Sequence, residues 1–119
     1  MEDGGNSKKY DLEQRTFEFS KRVRNFVNKL PKTLSNIEYS KQLIRSSGSV
    51  GANYIEANES LSRKDFGMRV KISRKEIKES RYWLELVEPD DNFSSERRNL
   101  VSECGELMKI FGSIIEKIK

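Results

Sequence analysis

Stripes of apolar residues at alternating spacings of three and four most constrain how this chain of 119 residues folds. The first stripe is Leu12, Thr16, Phe19, Val23, Phe26 and Leu30. Because an α-helix has 3.6 residues per turn, this spacing places all six side chains on one helix face. Pro31 disfavours the helical conformation in the residue before it, so the first helix is expected to end there.

Three more segments carry the same signal. The second is anchored by Ile37, Leu43, Ile44, Val50, Tyr54 and Ile55. The third repeats at heptad spacing through Phe66, Val70, Ser73, Ile77, Ser80, Leu84 and Val87. The fourth contains Leu100, Cys104, Leu107, Phe111, Ile114 and Ile118. Ser62, three residues before Asp65, is a predicted N-cap for the third helix.

These signals predict an all-α protein. The expected helices cover residues 11–30, 35–59, 62–87 and 94–118. Since the links between them are short, neighbouring helices should run antiparallel as an up-down-up-down four-helix bundle. Residues 11–119 form a single domain in this interpretation. Residues 1–10 are expected to be a disordered tail, because MEDGGNSKK is polar and has no apolar period.

A run of small residues interrupts the second helix between Arg45 and Ala57. Its members stand in two pairs one helical turn apart, Ser47 with Gly51 and Gly48 with Ala52. Glycine inside a helix costs about 1 kcal/mol relative to alanine, so close approach by another helix should offset that cost. The approaching helix belongs either to the same bundle or to another subunit, and the sequence leaves both open.

The net charge of +4 conceals an uneven distribution of charge. Residues 21–32 contain five bases and no acid, and residues 63–81 contain eight bases against three acids, whereas residues 85–106 are mainly acidic. The basic segments indicate either a polyanion partner or simply solvated helix faces. The bases of residues 63–81 do not all share one side of a helix, which weakens the case for a single footprint.

Catalysis and metal binding have little support in the sequence. The chain has no histidine, which a di-iron bundle of the Glu-x-x-His type requires. Glu76 and Glu79 are three residues apart, but no nucleophile or phosphate-binding loop accompanies them. We therefore expect no enzymatic activity, no metal and no cofactor. The one cysteine, Cys104, is expected to be a buried apolar residue.

Other polar residues are interpreted as structural. Glu76 or Glu79 should pair with Arg45 or Arg81 between the second and third helices, where such pairs fix register. The full set assigned to this polar network is Arg45, Asn53, Glu56, Glu76, Glu79 and Arg81. No stretch is long and apolar enough to cross a bilayer, so a cytoplasmic protein without membrane contact is expected. A surplus of large apolar side chains, among them Phe17, Met68 and Tyr82, favours self-assembly.

Two segments resemble the signature segments of the four-helix-bundle family encoded by intervening sequences in bacterial 23S rRNA genes. They are KQLIRSSGSVGANYIEANES, residues 41–60, and SRKDFGMRVKISRKEIKESRYWLELV, residues 62–87. The resemblance implies a left-handed bundle that assembles as a ring-shaped homopentamer, and it implies no known catalysis. More distantly, the chain resembles the accessory bundle protein of diversity-generating retroelements.

Together these observations predict a non-enzymatic oligomer that binds nucleic acid, structured RNA or else DNA, through its basic faces. The alternative is a structural scaffold whose partner is an unknown protein. The predicted phosphate-contacting residues are Lys21, Arg22, Arg24, Arg63, Lys64, Arg69, Lys71, Arg74, Lys75 and Lys78.

Overall fold

Four long helices make up the structure, a computed structural model that describes residues 4–119, with side chains from Leu12 onward. They are α1 (Gly4–Val27), α2 (Leu34–Asn58), α3 (Arg63–Leu86) and α4 (Ser94–Lys117). A single 3₁₀ turn, Asp91–Phe93, leads into α4. Within residues 4–119 there is no strand. The all-α, four-helix prediction is confirmed.

Each helix packs against the helices next to it in sequence, and α1 also packs against α4. Since the links are short and the helices lie side by side, neighbours run antiparallel. In this arrangement α1 and α3 lie diagonally across the bundle. The basic segments of α1 and α3 therefore lie on helices that are not neighbours. In the part of the chain that the structure describes, no helix is long and apolar enough to cross a membrane.

The helix ends differ from the expected bounds for local reasons. α1 ends at Val27, and the amides of Lys29 and Leu30 close tighter i to i−3 turns before Pro31. α2 begins one residue early because Thr33 is its N-cap and accepts a hydrogen bond from the amide of Asn36. α1 begins at Gly4, inside the segment 1–10 expected as a tail, and residues 1–3 lie outside the described residues.

The predicted stripes form the core. All six residues of the α1 stripe are buried, and so is the α3 stripe except for the half-buried Phe66. The prediction that Ser62 caps α3 is confirmed, since its hydroxyl accepts the amide hydrogen of Asp65 at 3.0 Å. Cys104 is fully buried, and this burial raises the pKa of its thiol to about 12. The thiol is therefore protonated and unreactive at neutral pH.

The second stripe is only half correct. Leu43, Val50 and Tyr54 are buried, but Ile37, Ile44 and Ile55 are exposed on a face of α2 rotated by roughly 100–120° from them. Apolar residues thus occur on two faces of this helix. One face belongs to the core, and the other has no cover within the chain.

A buried amide that the sequence analysis missed holds the two links at one end of the bundle together. The side-chain nitrogen of Asn36 donates to the carbonyl oxygens of Pro31 at 2.9 Å and Glu88 at 3.0 Å. Its side-chain oxygen accepts the amide hydrogen of Glu88 at 2.9 Å. The α1–α2 link and the end of α3 are therefore joined through one side chain.

Candidate nucleic-acid interface

One face of α3 gathers the largest group of predicted phosphate-contacting residues. At 3.6 residues per turn, five of them fall within an arc of about 100° between open solvent and α4. All five are exposed: Lys64, Lys71, Arg74, Lys75 and Lys78. The bases of this segment do not all share one side of α3, since Arg69 contacts Asn53 of α2, but these five do. We call them the α3 basic face.

The bases of α3 have no carboxylate partner among the described residues. The ion pairs of the structure lie elsewhere: Arg15–Glu103, Lys21–Glu18, Lys29–Glu96, Lys41–Glu38, Arg45–Glu76, Arg45–Glu79, Lys109–Glu106 and Lys119–Glu116. Two acids of α3, Glu76 and Glu79, turn towards α2 and contact Arg45, although Glu79 also lies near enough to Lys75 for the two charges to interact. A positive potential therefore remains along this face.

A groove runs between this face and α4. One section of it, a cavity of about 250 Å³, is lined by Lys71, Arg74, Lys75 and Lys78 on α3 and by Ile115 on α4. The neighbouring section is lined by Arg63, Lys64, Gly67, Met68, Lys71, Ile115, Ile118 and Lys119. Both sections are open to solvent. The groove thus combines an apolar floor with a cationic wall.

Gly112 of α4 lies opposite Arg74, one of the bases that line the groove, and α4 has a second glycine, Gly105. A Cβ atom at Gly112 would lie 3.8 Å from the guanidinium carbon of Arg74, and a Cβ atom at Gly105 would meet nothing within 4 Å. These glycines are seven residues apart, so they lie on the same face of α4. By contrast, a Cβ atom at Gly67 would lie 2.9 Å from Ile118 Cδ1. Of these three glycines, only Gly67 has a close neighbour within the chain, and that neighbour is the end of a side chain.

Two of the predicted phosphate-contacting residues on α3 make contacts inside the protein. Arg63 donates to the carbonyl oxygens of Ile118 at 3.2 Å and Lys117 at 3.4 Å, which caps the end of α4. Arg69 lies on the α2 side of the helix and donates to Asn53 Oδ1 at 3.2 Å. Their guanidinium groups thus join helices of the bundle.

The three bases predicted on α1 do not form one patch. Lys21 Nζ lies 3.7 Å from Glu18 Oε2 and 5.5 Å above the ring of Phe17. Arg24 donates to the neighbouring Asn25, and Arg22 is exposed on a different side of the helix. α1 is not a neighbour of α3 in the bundle, and none of these three residues lines the groove beside the α3 basic face.

The polar network between α2 and α3 is built on Arg45. This guanidinium contacts Glu76 Oε1 at 3.4 Å and also donates to Glu79, and the indole nitrogen of Trp83 donates to Glu79 Oε2 at 3.0 Å. The Trp83 hydrogen bond, opposed in part by burial and assisted by Arg45, lowers the pKa of Glu79. The network therefore favours the ionised carboxylate.

Two residues assigned to this network lie outside it. Arg81 is on the α4 side of α3, where it borders the same cavity as Lys78 and its charge acts on Cys104. Its position five residues beyond Glu76 rotates it away from α2. Glu56 has an exposed side chain. Asn53 joins α2 to α3 through Arg69 and also donates to the carbonyl oxygen of Ser49.

The small-residue run of α2 divides into two halves. The carbonyl oxygen of Ser47 accepts a hydrogen bond from Ser20 of α1 at 2.9 Å, and a Cβ atom at Gly51 would lie 3.0 Å from Thr16 Oγ1. This half packs against α1 of the same chain. Gly48 and Ala52 are exposed, and a Cβ atom at Gly48 would meet nothing within 4 Å.

The exposed half continues into a larger apolar surface. Five residues share the outward side of α2, and we call them the outer stripe: Ile37, Ile44, Gly48, Ala52 and Ile55. Phe17 of α1, 57% exposed, lies on the side of α1 that faces α2. Isolated exposed apolar residues are ordinary, but a continuous stripe of this kind is typical of an interaction surface.

Among the residues that the structure describes, no group of three or more histidine, cysteine or acidic side chains is arranged to hold a metal ion.

The sequence analysis also missed an ion pair across the α1–α4 interface. Arg15 donates through Nε and Nη2 to the two carboxylate oxygens of Glu103, at 2.7 and 2.9 Å. This two-point contact fixes the relative position of these helices.

The sequence of the chain matches the profile of the 23S rRNA-intervening sequence protein family over residues 8–113. The chain belongs to this family. A crystal structure of a protein of unknown function from the S23 ribosomal protein family of Bacteroides thetaiotaomicron is 31% identical, with a TM-score of 0.76. The alignment covers 87% of this chain and 97% of that protein. No curated protein matches the chain. The predicted family and its helical fold are therefore confirmed.

Proposed function

We propose that this member of the family is a non-enzymatic, homo-oligomeric protein of the cytoplasm that binds structured RNA through the α3 basic face. The observation that carries the proposal is the absence of carboxylate partners along this face in the described part of the chain. Lysine and arginine side chains that neutralise phosphates release counterions, and this release drives binding without base readout. The family and the related structure are named for rRNA and ribosomes, which supports RNA rather than DNA.

Self-assembly is the second part of the proposal, and a ring-shaped homopentamer is the form we propose. The outer stripe of α2 supports it, because Gly48 and Ala52 leave room for a close approach and the three isoleucines supply apolar area. Copies of the α3 basic face around one assembly would bind a folded RNA at several points. Such multivalent binding raises avidity without new contacts.

Light scattering tests the assembly. We expect the mass of five chains for the wild-type protein and a smaller species for Ile44→Lys, which places a charge in the outer stripe. Met68→Lys is the matched control, since Met68 is a similarly exposed apolar residue on α3. A monomeric wild-type protein at micromolar concentration contradicts the proposed assembly. An unchanged mass for Ile44→Lys excludes the outer stripe as the interface.

Binding of a structured RNA across a salt series tests the RNA proposal. The test variant replaces Lys71, Lys75 and Lys78 with glutamine, and the control replaces Lys21, Arg22 and Arg24. Each of the two variants replaces three basic residues and so loses the same amount of positive charge. If the α3 face contacts phosphates, the first variant should flatten the slope of log K against log salt by about 2, and the second should change it little. Absence of wild-type binding at low salt refutes the proposal, and equal losses in both variants refute the α3 face as its footprint.

A protein-interaction scaffold is the competing function, and the outer stripe favours it because such a surface also suits a different protein. A pull-down with nuclease treatment separates the two functions. Partners lost on treatment support RNA binding, and partners retained support the scaffold. The proposal also expects no metal in the purified protein by elemental analysis, and stoichiometric metal would contradict its non-enzymatic part.

A further inference from the structure

We infer that one phosphodiester strand of the RNA lies inside the groove between α3 and α4, over Gly105 and Gly112, rather than along the outermost ridge of α3. This inference rests on the proposed RNA binding and specifies where on the surface it occurs. It begins from the bases that line the groove, which are Lys71, Arg74, Lys75 and Lys78. Their charged groups border a channel with α4 on its far side.

The second step is the bare surface of α4 opposite these bases. The guanidinium carbon of Arg74 lies 3.8 Å from the point where a Cβ atom of residue 112 would stand. A larger residue there would displace the guanidinium or fill the channel. Glycine is the residue that lets a backbone or a ligand approach a helix closely.

The third step is that two helix-interior glycines of α4, like Gly48 of α2, have no explanation within the chain. Glycine weakens a helix, and neither Gly105 nor Gly112 is favoured by a tight internal contact, unlike Gly51. Both unexplained glycines of α4 lie on the side that carries the groove. A strand that enters the groove accounts for them together with the unpaired bases.

The charge pattern also limits how far a strand extends. From Lys64 to Lys78 the basic face is about 21 Å long, at 1.5 Å per residue. Beyond it the groove wall includes Glu85, and acidic residues follow towards the α3–α4 turn. Since carboxylates repel phosphates, the strand should occupy the basic section over Ile115 and stop before Glu85.

The test fills the groove without a change in charge. Gly112→Leu puts a side chain between α4 and Arg74, and Ser113→Leu puts the same side chain on the exposed side of α4. We expect Gly112→Leu to raise the Kd for a structured RNA about tenfold at low salt, through the loss of one or two phosphate contacts. Ser113→Leu should leave the Kd within about twofold, because Ser113 faces away from the groove.

Gly105→Leu serves as a second test variant, and circular dichroism confirms that each variant is folded. If the wild type binds RNA but folded Gly112→Leu and Gly105→Leu bind equally well, the groove inference is overturned while the proposed function stands. If Ser113→Leu weakens RNA binding as much as Gly112→Leu does, the groove inference is also overturned. If the wild type and the variants all fail to bind, the proposed function itself falls, and the groove inference falls with it.

Discussion

The two halves of the small-residue run in α2 look alike in sequence but differ in their surroundings. A Cβ atom at Gly51 would lie 3.0 Å from Thr16 Oγ1 of α1, closer than an ordinary contact, whereas nothing lies near Gly48. The contacts of the chain itself favour glycine in the first case and not in the second. A small residue in a helix is therefore informative only when its neighbour is known. A small residue with no neighbour in its own chain indicates a surface that contacts another molecule.

Among the substitutions that test this difference between the two halves, Gly51→Leu should have the largest effect on stability. The new side chain would meet Thr16 close to the point where Ser20 of α1 bonds to Ser47, so α1 and α2 must move apart. We expect a loss of about 3 kcal/mol or more in the free energy of unfolding, at the upper end of the range for overpacking. Urea denaturation measures it, with Gly105→Leu as the control of equal size. A stability equal to that of the wild type would show that close approach at Gly51 is not needed.

Gly48→Ala should have a smaller effect of opposite sign. A methyl group at residue 48 meets no other atom of the chain, and alanine is the better helix former. The free energy of unfolding of the dissociated chain should rise by up to about 1 kcal/mol. Gly51→Ala, measured beside it, should give no such gain. If Gly48→Ala instead destabilises the assembled protein, a neighbouring subunit packs closely on Gly48.

The smallest expected effect concerns the side of α2 that faces α3. The folded protein holds the pKa of Glu79 below its ordinary value, chiefly through Trp83 and with help from Arg45. This contribution to stability is present above the ordinary pKa and is lost as the pH falls through the lowered value. Denaturation at pH 6 and pH 3 should therefore show a smaller acid-induced loss in Glu79→Gln than in the wild type.

Glu59→Gln, which removes an exposed carboxylate at the end of α2, provides the matched control, and it should lose as much stability between pH 6 and pH 3 as the wild type. If Glu79→Gln and the wild type lose stability equally on acidification, the Arg45–Glu79–Trp83 contacts contribute no pH dependence. The side of α2 that faces α3 would then depend on neutral contacts, such as the hydrogen bond from Ser73 to the carbonyl oxygen of Val50 at 2.9 Å.

The sequence was sufficient for the fold wherever a helix has a single apolar face. In α1 every position of the predicted stripe is buried, because most of the rest of the helix is polar, with Phe17 and Val27 as exceptions. In α2 the same reasoning failed for Ile37, Ile44 and Ile55. Periodicity does not show which of two apolar faces is buried, since the burial of each depends on where the other helices lie.

The candidate site was predicted as a set of residues but not as a surface. The bases of α3 were identifiable from charge alone, yet only the position of α4 shows that Arg74 faces a groove and that Gly112 opens it. Arg69 illustrates the converse, because its bond to Asn53 depends on the rotation of α3 against α2. Contacts such as Asn36 with Glu88 join residues far apart in sequence, and no local pattern indicates them.

The burial of Cys104 has a practical consequence. Its protonated, inaccessible thiol is the only one in the chain, so a cysteine introduced on the surface would be the sole group that reacts with a maleimide dye. A dye at residue 48 would report on the outer stripe, and a dye at residue 113 would report on the opposite side of the bundle. Fluorescence quenching and energy transfer could then follow assembly and RNA binding separately in the same protein.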